Sequence, residues 1–279
     1  MTLLKQWVTM LVKGFGLLLG PFLAPPRAPV TVFTLHRISS DQVGEMMLTP
    51  KFVARFLAAV KARYEVVSWG EYLVRAQAPK GGGPLAVLTV DDAFSDAFTE
   101  LYPILQKLHL PITLFVPTQF MQQPEQVPVS FAYDPALYRP CSWAQLRSMQ
   151  ASGLVTLAAH SHAHVPVNQL TAAQIDADTA LSQAIFASQG LPQPRLYAYP
   201  RGVFTASAAA VLSKHYESAF AGAPHHALPP PLAHMAVARV PIRGSDQALF
   251  WRFKVCGWPT AEEWLIERIK RLAQRLRGR

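Results

Sequence analysis

Apolar residues recur along the chain in short β-rich runs, and between the runs they reappear on one side of longer, more polar stretches. Val30–Leu35, Leu85–Val90, Ile112–Val116 and residues 154–158 are almost continuously apolar or β-branched. Such runs predict strands covered on both faces, as parallel strands are. From Pro50 to Ala62 the spacing becomes helical, with Thr49-Pro50 as the opening and Phe52, Val53, Phe56, Leu57 and Val60 on one face. Residues 64–67 then predict a short strand, 68–76 and 95–108 helices, and 142–153 a helix opened by the capping box Ser142-Trp143-Ala144-Gln145. Beyond it come a helix over 172–189, a strand over 196–199, a helix over 206–214, and strands over 218–220 and 236–240. Six or seven strand–helix units in this order predict parallel strands with helical crossovers, and a barrel is the natural closure for 279 residues. The expected fold class is α/β, a (β/α) barrel. Its strand ends would gather His36, Asp91, Asp92, His160, Pro200 and, at the last strand, Arg239 around one mouth.

Two of those strand ends carry chemistry. Thr89-Val90-Asp91-Asp92 closes one apolar run, and His160-Ser161-His162-Ala163-His164 closes another about seventy residues on. Together they offer two carboxylates and a histidine cluster, enough to hold a divalent metal and leave one base free. Carboxylate oxygens and neutral imidazoles are the ligands of catalytic zinc, where three protein ligands leave a position for water. Each motif alone has a plainer use: paired acids serve as turns or helix caps at strand ends, and His-x-x-x-His arises by chance. Their common position after apolar strands is what points to a joint site. Gly81-Gly82-Gly83-Pro84 reads as a loop, since the P-loop spacing and its Lys-Ser/Thr are missing.

Composition narrows the classes. The chain is 51% hydrophobic and long enough for one large domain with short appendages. Cys141 and Cys256 support neither a disulfide framework nor a thiolate zinc site, so any metal must be held by histidine and carboxylate. The formal net charge is +9, and the eight Lys/Arg against three Glu between Arg252 and Arg279 supply much of it. Trp264, Leu265, Ile269, Leu272 and Leu276 lie among them at helical spacing. This basic amphipathic helix suits an anionic membrane surface or packs its apolar stripe on the domain. Nucleic acid is not an expected partner, because no binding motif accompanies the charge. At the other end, the uninterrupted apolar stretch from Gly14 to Ala24 is too short to span a bilayer. The N-terminal segment reads either as a signal peptide or as an interfacial helix presenting Leu3, Leu4, Trp7, Met10, Leu11, Phe15 and Leu18. The expected organisation is an apolar segment over 1–28, one domain over 29–245 and a basic helix over 246–279. Peripheral membrane contact through both termini predicts a cytoplasmic or inner-membrane-associated protein; the signal-peptide reading predicts a secreted or periplasmic one.

Thr89-Val90-Asp91-Asp92 followed by His160-Ser161-x-x-His164 resembles the first two motifs of the polysaccharide deacetylases of carbohydrate esterase family four, the NodB-like domain. Leu35-His36-Arg37 is similar to the Tyr-His-Arg/Ser segment of many members, and Pro111-Ile112-Thr113-Leu114-Phe115-Val116 to their Pro-Ala-Thr-Phe-Phe-Val strand. Tyr197-Ala198-Tyr199-Pro200-Arg201-Gly202 resembles the third motif in its Tyr-Pro-Tyr-Gly form. The resemblance runs from about Val30 to Val240. It implies a distorted (β/α) barrel of about seven parallel strands and a metal-dependent hydrolase that removes an N-acetyl or related acyl group from a sugar. The substrate class it implies is an N-acetylated polysaccharide or a lipid-linked saccharide, and the surface-seeking termini favour a glycan made at the membrane. It also implies Asp92, His160 and His164 as ligands of a divalent metal, Zn2+ foremost, with Co2+, Ni2+ or Mn2+ as alternatives. Asp91 would be the base and water on the metal the nucleophile. Arg201 would face the oxyanion through its backbone N–H, and its side chain is a candidate to orient Asp91. His36, Tyr199 and Pro200 belong to the substrate or structural motifs, and His162 is expected to face away from the metal or to support its ligands from behind.

The chain departs from the family pattern at four places, one being the acidic residue common a few positions before the first histidine, where Thr156 and Leu157 stand. Ala93 stands where the family has Gly, Ala198 where many members have Arg, and the late Leu-x-x-His that supplies a general acid has no counterpart. His225, His226 and His234, in a Pro-rich stretch, are the candidates for that acid. Two functions therefore stay open: an active deacetylase, and a glycan-binding or glycan-assembly protein that kept the barrel and lost the acid.

Overall fold

The computed structural model describes residues 30–40, 45–77, 83–124, 139–222, 228–247 and 250–256. Its strands in chain order are β1 (Val30–Leu35), β2 (Arg37–Ile38), β3 (Met47–Leu48), β4 (Glu65–Val66), β5 (Leu85–Val90), β6 (Ile112–Val116), β7 (Val155–Ala159), β8 (Leu196–Ala198), β9 (Ser218–Phe220) and β10 (Val240–Pro241). Seven of them lie parallel in the order β10-β1-β5-β6-β7-β8-β9 and curl into a half-barrel with helices around it, as the sequence predicts. β4 pairs with the first residues of β5, and β2 and β3 form a small parallel pair of their own that the sequence did not signal.

The last predicted strand, 236–240, is split. Val237 bridges Phe220 on one edge of the sheet, while Val240 and Pro241 pair with Phe33 and Thr34 on the other. One stepped segment therefore touches both edges. Arg239 sits at the step, just before β10 rather than after it.

The period-two alternation of the strands sorts their side chains into two cores. Val32, Val87, Phe115, Ala158, Ala198 and Phe220 point into the barrel. Trp69 closes it where the strands begin, its indole N–H donating to Ser218 Oγ at 2.9 Å. Phe33, Leu35, Leu88, Val90, Leu114 and Val116 point outward against Phe52, Phe56 and Val60 of the helix Pro50–Arg63. That helix forms as expected: Thr49 accepts from Phe52 N–H, Pro50 occupies the first turn, and the predicted apolar face is its buried face. The helices Trp143–Ala151 and Ala172–Ser188 each open on a complete capping box.

The helix predicted over 95–108 begins instead as a wide π turn, Ala97–Leu101, before Tyr102–Leu108. Pro103 lies at that junction and has no N–H to return to the carbonyl one turn back, which opens the turn. At the C-terminal end, the helix Trp251–Val255 packs Trp251 edge-on against Phe52 and Phe56. Lys254, counted above with the basic tail, is buried and donates to Asp246 Oδ2 at 2.9 Å and to the Pro241 carbonyl at 2.8 Å. The start of the 246–279 segment thus packs on the barrel. The apolar 1–28 segment, the tail beyond residue 256, His225 and His226 lie outside the described residues. Among the described residues no helix is long and apolar enough to cross a membrane.

Candidate active site

Strand register brings the chemistry to one mouth. Leu35 pairs with Val90 and Val116 with Ala159, so the residues that follow, His36, Asp91 and His160, come next above the inward column. Asp91 N–H donates to the Leu35 carbonyl at 3.2 Å and His160 N–H to the Val116 carbonyl at 3.1 Å, which carries the sheet one residue past the strand ends.

Asp91 is held by both oxygens. Arg239 donates through Nη1 to Oδ1 at 2.7 Å and through Nη2 to Oδ2 at 2.9 Å, and both side chains are 4% exposed. The guanidinium is itself fixed inside the barrel: Nε donates to the Ala221 carbonyl at 3.2 Å, Nη1 reaches Thr34 Oγ1 at 3.3 Å, and the Phe115 ring lies 5.6 Å from it. Burial alone would raise the Asp91 pKa, but the charge of Arg239, followed by His160 and His36, holds it well below the usual carboxylate range. His36 Nε2 stands 3.7 Å from Asp91 Oδ2 with its side chain 17% exposed, and its Nδ1 is buried without a hydrogen-bond partner. Burial lowers the His36 pKa against the pull of Asp91 and Asp92.

Asp92 turns away from Arg239. Its φ of 72° swings the carboxylate toward His160 Nε2 at 3.5 Å and His164 Nε2 at 3.3 Å. The three residues are buried, and their potential ligand atoms lie within 4.8 Å of one another. Asp92 Oδ1 has no hydrogen-bond partner although it is buried. A buried acceptor left unpaired is costly, and a cation at the centre of these donors would satisfy it. Donors about 2.0–2.1 Å from a tetrahedral zinc lie about 3.4 Å from one another, close to the separation of Asp92 Oδ1 from each of the two imidazole Nε2 atoms. His160 Nδ1 is 2.8 Å from the Ala198 carbonyl, a partner that places the proton on Nδ1 and leaves the Nε2 lone pair for a metal. Burial pushes the His160 pKa down to about 4, so the ring is neutral at physiological pH, as a ligand must be.

Two loops carry this triad, and each is braced. Ala93 adopts φ 49°, the left-handed conformation for which its Gly counterpart in the family is suited, and its buried Cβ pays a strain of about 1–2 kcal/mol. The turn is held by Cys141, whose N–H donates to the Ala93 carbonyl at 2.8 Å and whose thiol lies 3.2 Å from the Phe94 carbonyl. Arg37 holds it from the other side, pairing with Asp96 and lying 4.5 Å over the Phe94 ring. In the histidine loop Ser161 (φ 61°) and His164 (φ 55°) are also left-handed, and Ser161 Oγ accepts from His164 N–H at 2.8 Å. His162 faces away from the triad, its Nδ1 2.9 Å from Thr118 Oγ1.

The remaining sequence candidates divide. The guanidinium on Asp91 belongs to Arg239, and Arg201, whose side chain the sequence offered for that place, is exposed. The sequence missed this because the pair is 148 residues apart and meets only when the barrel curls. Arg201 keeps its place in the turn Pro200–Gly202 with φ 57°. That turn presses on the loop after β9, where a Cβ on Gly202 would come within 2.6 Å of Gly222 Cα. Pro200 is buried, and Tyr199 is structural: its hydroxyl donates to the Met235 carbonyl at 2.8 Å and its ring packs on Tyr197 and Phe204. Of the acid candidates, His234 is described, and it lies exposed on the turn Ala233–Met235. The imidazole beside Asp91 is His36. Arg37, which braces the site, lies in the segment similar to the family's Tyr-His-Arg/Ser, whereas Asp96, Thr118 and Asp178, which also brace it, gave no sequence signal beyond being polar.

Fold and site together define a parallel α/β half-barrel with a carboxylate–histidine centre and a second, arginine-held carboxylate at its mouth. The polysaccharide deacetylase family profile matches residues 78–217, half of the chain, and the chain belongs to that family. His36 and Arg239 fall outside the matched stretch. By structure the chain is similar to IcaB from Ammonifex degensii, with TM-score 0.66 and 20% identity over 83% of this chain and 97% of that one. It is similar to the Streptococcus pyogenes deacetylase PplD, solved in complex with acetate, with TM-score 0.62 and 16% identity over 79% and 94%. A de-N-acetylase from Aggregatibacter actinomycetemcomitans gives TM-score 0.62 and 17% identity over 81% and 99%. At these identities the likeness is one of fold. Comparison with curated proteins gave no match by sequence.

Proposed function

We propose that this protein is a metal-dependent deacetylase that hydrolyses the N-acetyl or related acyl amide of a sugar in a polysaccharide or lipid-linked saccharide. The observation that carries the reading is the division of labour between adjacent carboxylates. Asp91 is committed to Arg239, while Asp92 presents an unpartnered buried oxygen to two imidazole Nε2 atoms. Asp92, His160 and His164 would hold the ion, and one carboxylate with two imidazoles suits Zn2+, with Co2+, Ni2+ or Mn2+ as substitutes. When bound, the ion supplies Lewis acidity toward the acyl oxygen and toward water.

The chain's own residues do the rest. Arg239 fixes both Asp91 oxygens and keeps the carboxylate ionised, leaving a lone pair to accept a proton from the attacking water. His36 stands beside that carboxylate at the mouth, takes over the proton that Asp91 has drawn from water, and passes it to the sugar nitrogen as the C–N bond breaks, giving a carboxylic acid and a free amine and returning Asp91 to its ionised form. It takes the acid's part in place of His225, His226 and His234. The Arg201 backbone N–H, in the turn fixed by Pro200 and Gly202, is the protein donor proposed for the developing oxyanion. Support also comes from the family, and from structural relatives described as a de-N-acetylase and as a deacetylase in complex with acetate.

The test is acetate and amine release from a panel of N-acetylated glycans by metal-loaded protein, with His36→Gln alongside. Wild type should release both products in equal amounts, and His36→Gln should lower kcat about 10²–10⁴-fold with KM little changed. Metal-loaded wild type inert on the whole panel would contradict the activity. An unchanged kcat in His36→Gln would contradict the part given to His36.

A further inference from the structure

The loop between the two imidazoles is closed by a carboxylate from a different element. Asp178, on the helix Ala172–Ser188, accepts from His162 N–H through Oδ2 at 2.7 Å and from Ala163 N–H through Oδ1 at 3.0 Å. These are successive amides following the left-handed Ser161, the arrangement in which backbone N–H groups turn to one side and form an anion-binding nest. The next amide, of His164, is taken by Ser161 Oγ. On the opposite side the carbonyls of Ser161 and His162 accept from Thr118 N–H at 3.3 Å and Gln119 N–H at 3.0 Å. The peptide units at the middle of the loop are thus gripped from both sides, and the loop ends carry His160 and His164.

We propose that Asp178 is a positioning residue of the metal centre, whose two-oxygen grip on the loop sets the separation and aim of His160 and His164 and thereby the affinity for a divalent ion. The inference rests on the reading of Asp92, His160 and His164 as ligands. The geometry favours it over a simple loop cap in two respects. The helix that carries Asp178 is anchored by its capping box and by buried Ile175, Ile185 and Phe186, so the carboxylate is a fixed point rather than a follower of the loop. Both bonded amides lie between the two ligands, so any slackening there moves the imidazoles against each other. A neutral amide at this position would offer one acceptor and set its NH2 against the second backbone N–H.

The experiment is a chelator-competition titration of Zn2+ and Co2+ on the full chain for wild type, Asp92→Asn, Asp178→Asn and Asp178→Ser. It is read with the visible spectrum of the Co2+ form and with thermal unfolding of the metal-free proteins. Asp178→Asn and Asp178→Ser should bind roughly 10- to 100-fold more weakly than wild type, with an altered Co2+ spectrum. Either variant that folds carries the test. Wild-type affinity and spectrum in a folded Asp178 variant, with Asp92→Asn impaired, would overturn the Asp178 proposal and leave the metal-site reading standing. Wild type that binds no ion, or Asp92→Asn that binds as wild type does, would overturn the metal-site reading itself.

Discussion

Replacing Arg239 with methionine is expected to cost about 3–5 kcal/mol of stability at neutral pH, because it strands the buried Asp91 charge without its partner. The pH dependence gives the effect a signature. In the wild type, burial raises the Asp91 pKa but Arg239, His160 and His36 more than offset it, so the folded value lies below the unfolded one. The stability this contributes is full above the ordinary carboxylate range and is lost as pH falls below it. Without Arg239 the burial effect dominates, the folded value moves above the unfolded one, and protonation relieves the stranded charge. The gap between wild type and Arg239→Met should therefore narrow as pH falls from neutrality through the carboxylate range. Denaturant unfolding at several pH values measures it, and a gap that is small at neutral pH or constant with pH would contradict the pairing.

Asp91→Asn is expected to lower kcat about 10²–10⁴-fold while the protein still binds its metal. The amide keeps the shape of the carboxylate and one acceptor for Arg239 but cannot take up a proton. The variant should also unfold more easily, since Arg239 then carries an unpaired buried charge. Steady-state kinetics beside metal analysis separates the outcomes. Lost activity with metal retained fits a base, whereas lost metal would move Asp91 into the ligand set with Asp92.

Much of this site was legible because period-two strands make it so. Once Val32, Val87 and Ala158 are read as inward, the same alternation places His36, Asp91 and His160 above them on the inner face. The strand before each motif pointed to a joint site, and the family resemblance named within it the donor set found together at the mouth. Arg239 was placed at the mouth by the same reading, but not its grip on Asp91. Its neighbours Ala236, Val237 and Ala238 look like any apolar strand, and the pairing exists only because one stepped segment touches both sheet edges. His36 as the neighbour of Asp91 needed the register of β1 on β5, which no local pattern encodes. His225, His226 and His234 were candidates by position in the chain alone. Asp178 shows a harder limit: an acid on an amphipathic helix reads as a solvated charge until the loop it grips is known. Lys254 shows the converse, a charge counted with a basic tail that is buried against Asp246.

Ala93 joins sequence and structure in another way. The family's Gly at that place marks a backbone need, and the structure meets the need with an alanine at positive φ. Cys141, Arg37 and Asp96 hold the turn that carries this strain, and with it the direction of Asp92.

The central claim is that deacetylation depends on an ion held by Asp92, His160 and His164. Its most direct measurement is a titration of metal-free wild-type protein with Zn2+ or Co2+, following bound metal and acetate release from an N-acetylated glycan in the same samples. The account predicts no acetate without metal, release that rises in step with metal and saturates at one ion per chain, and neither binding nor release at those concentrations in Asp92→Asn. Acetate release by the metal-free protein equal to that of the loaded protein would contradict it.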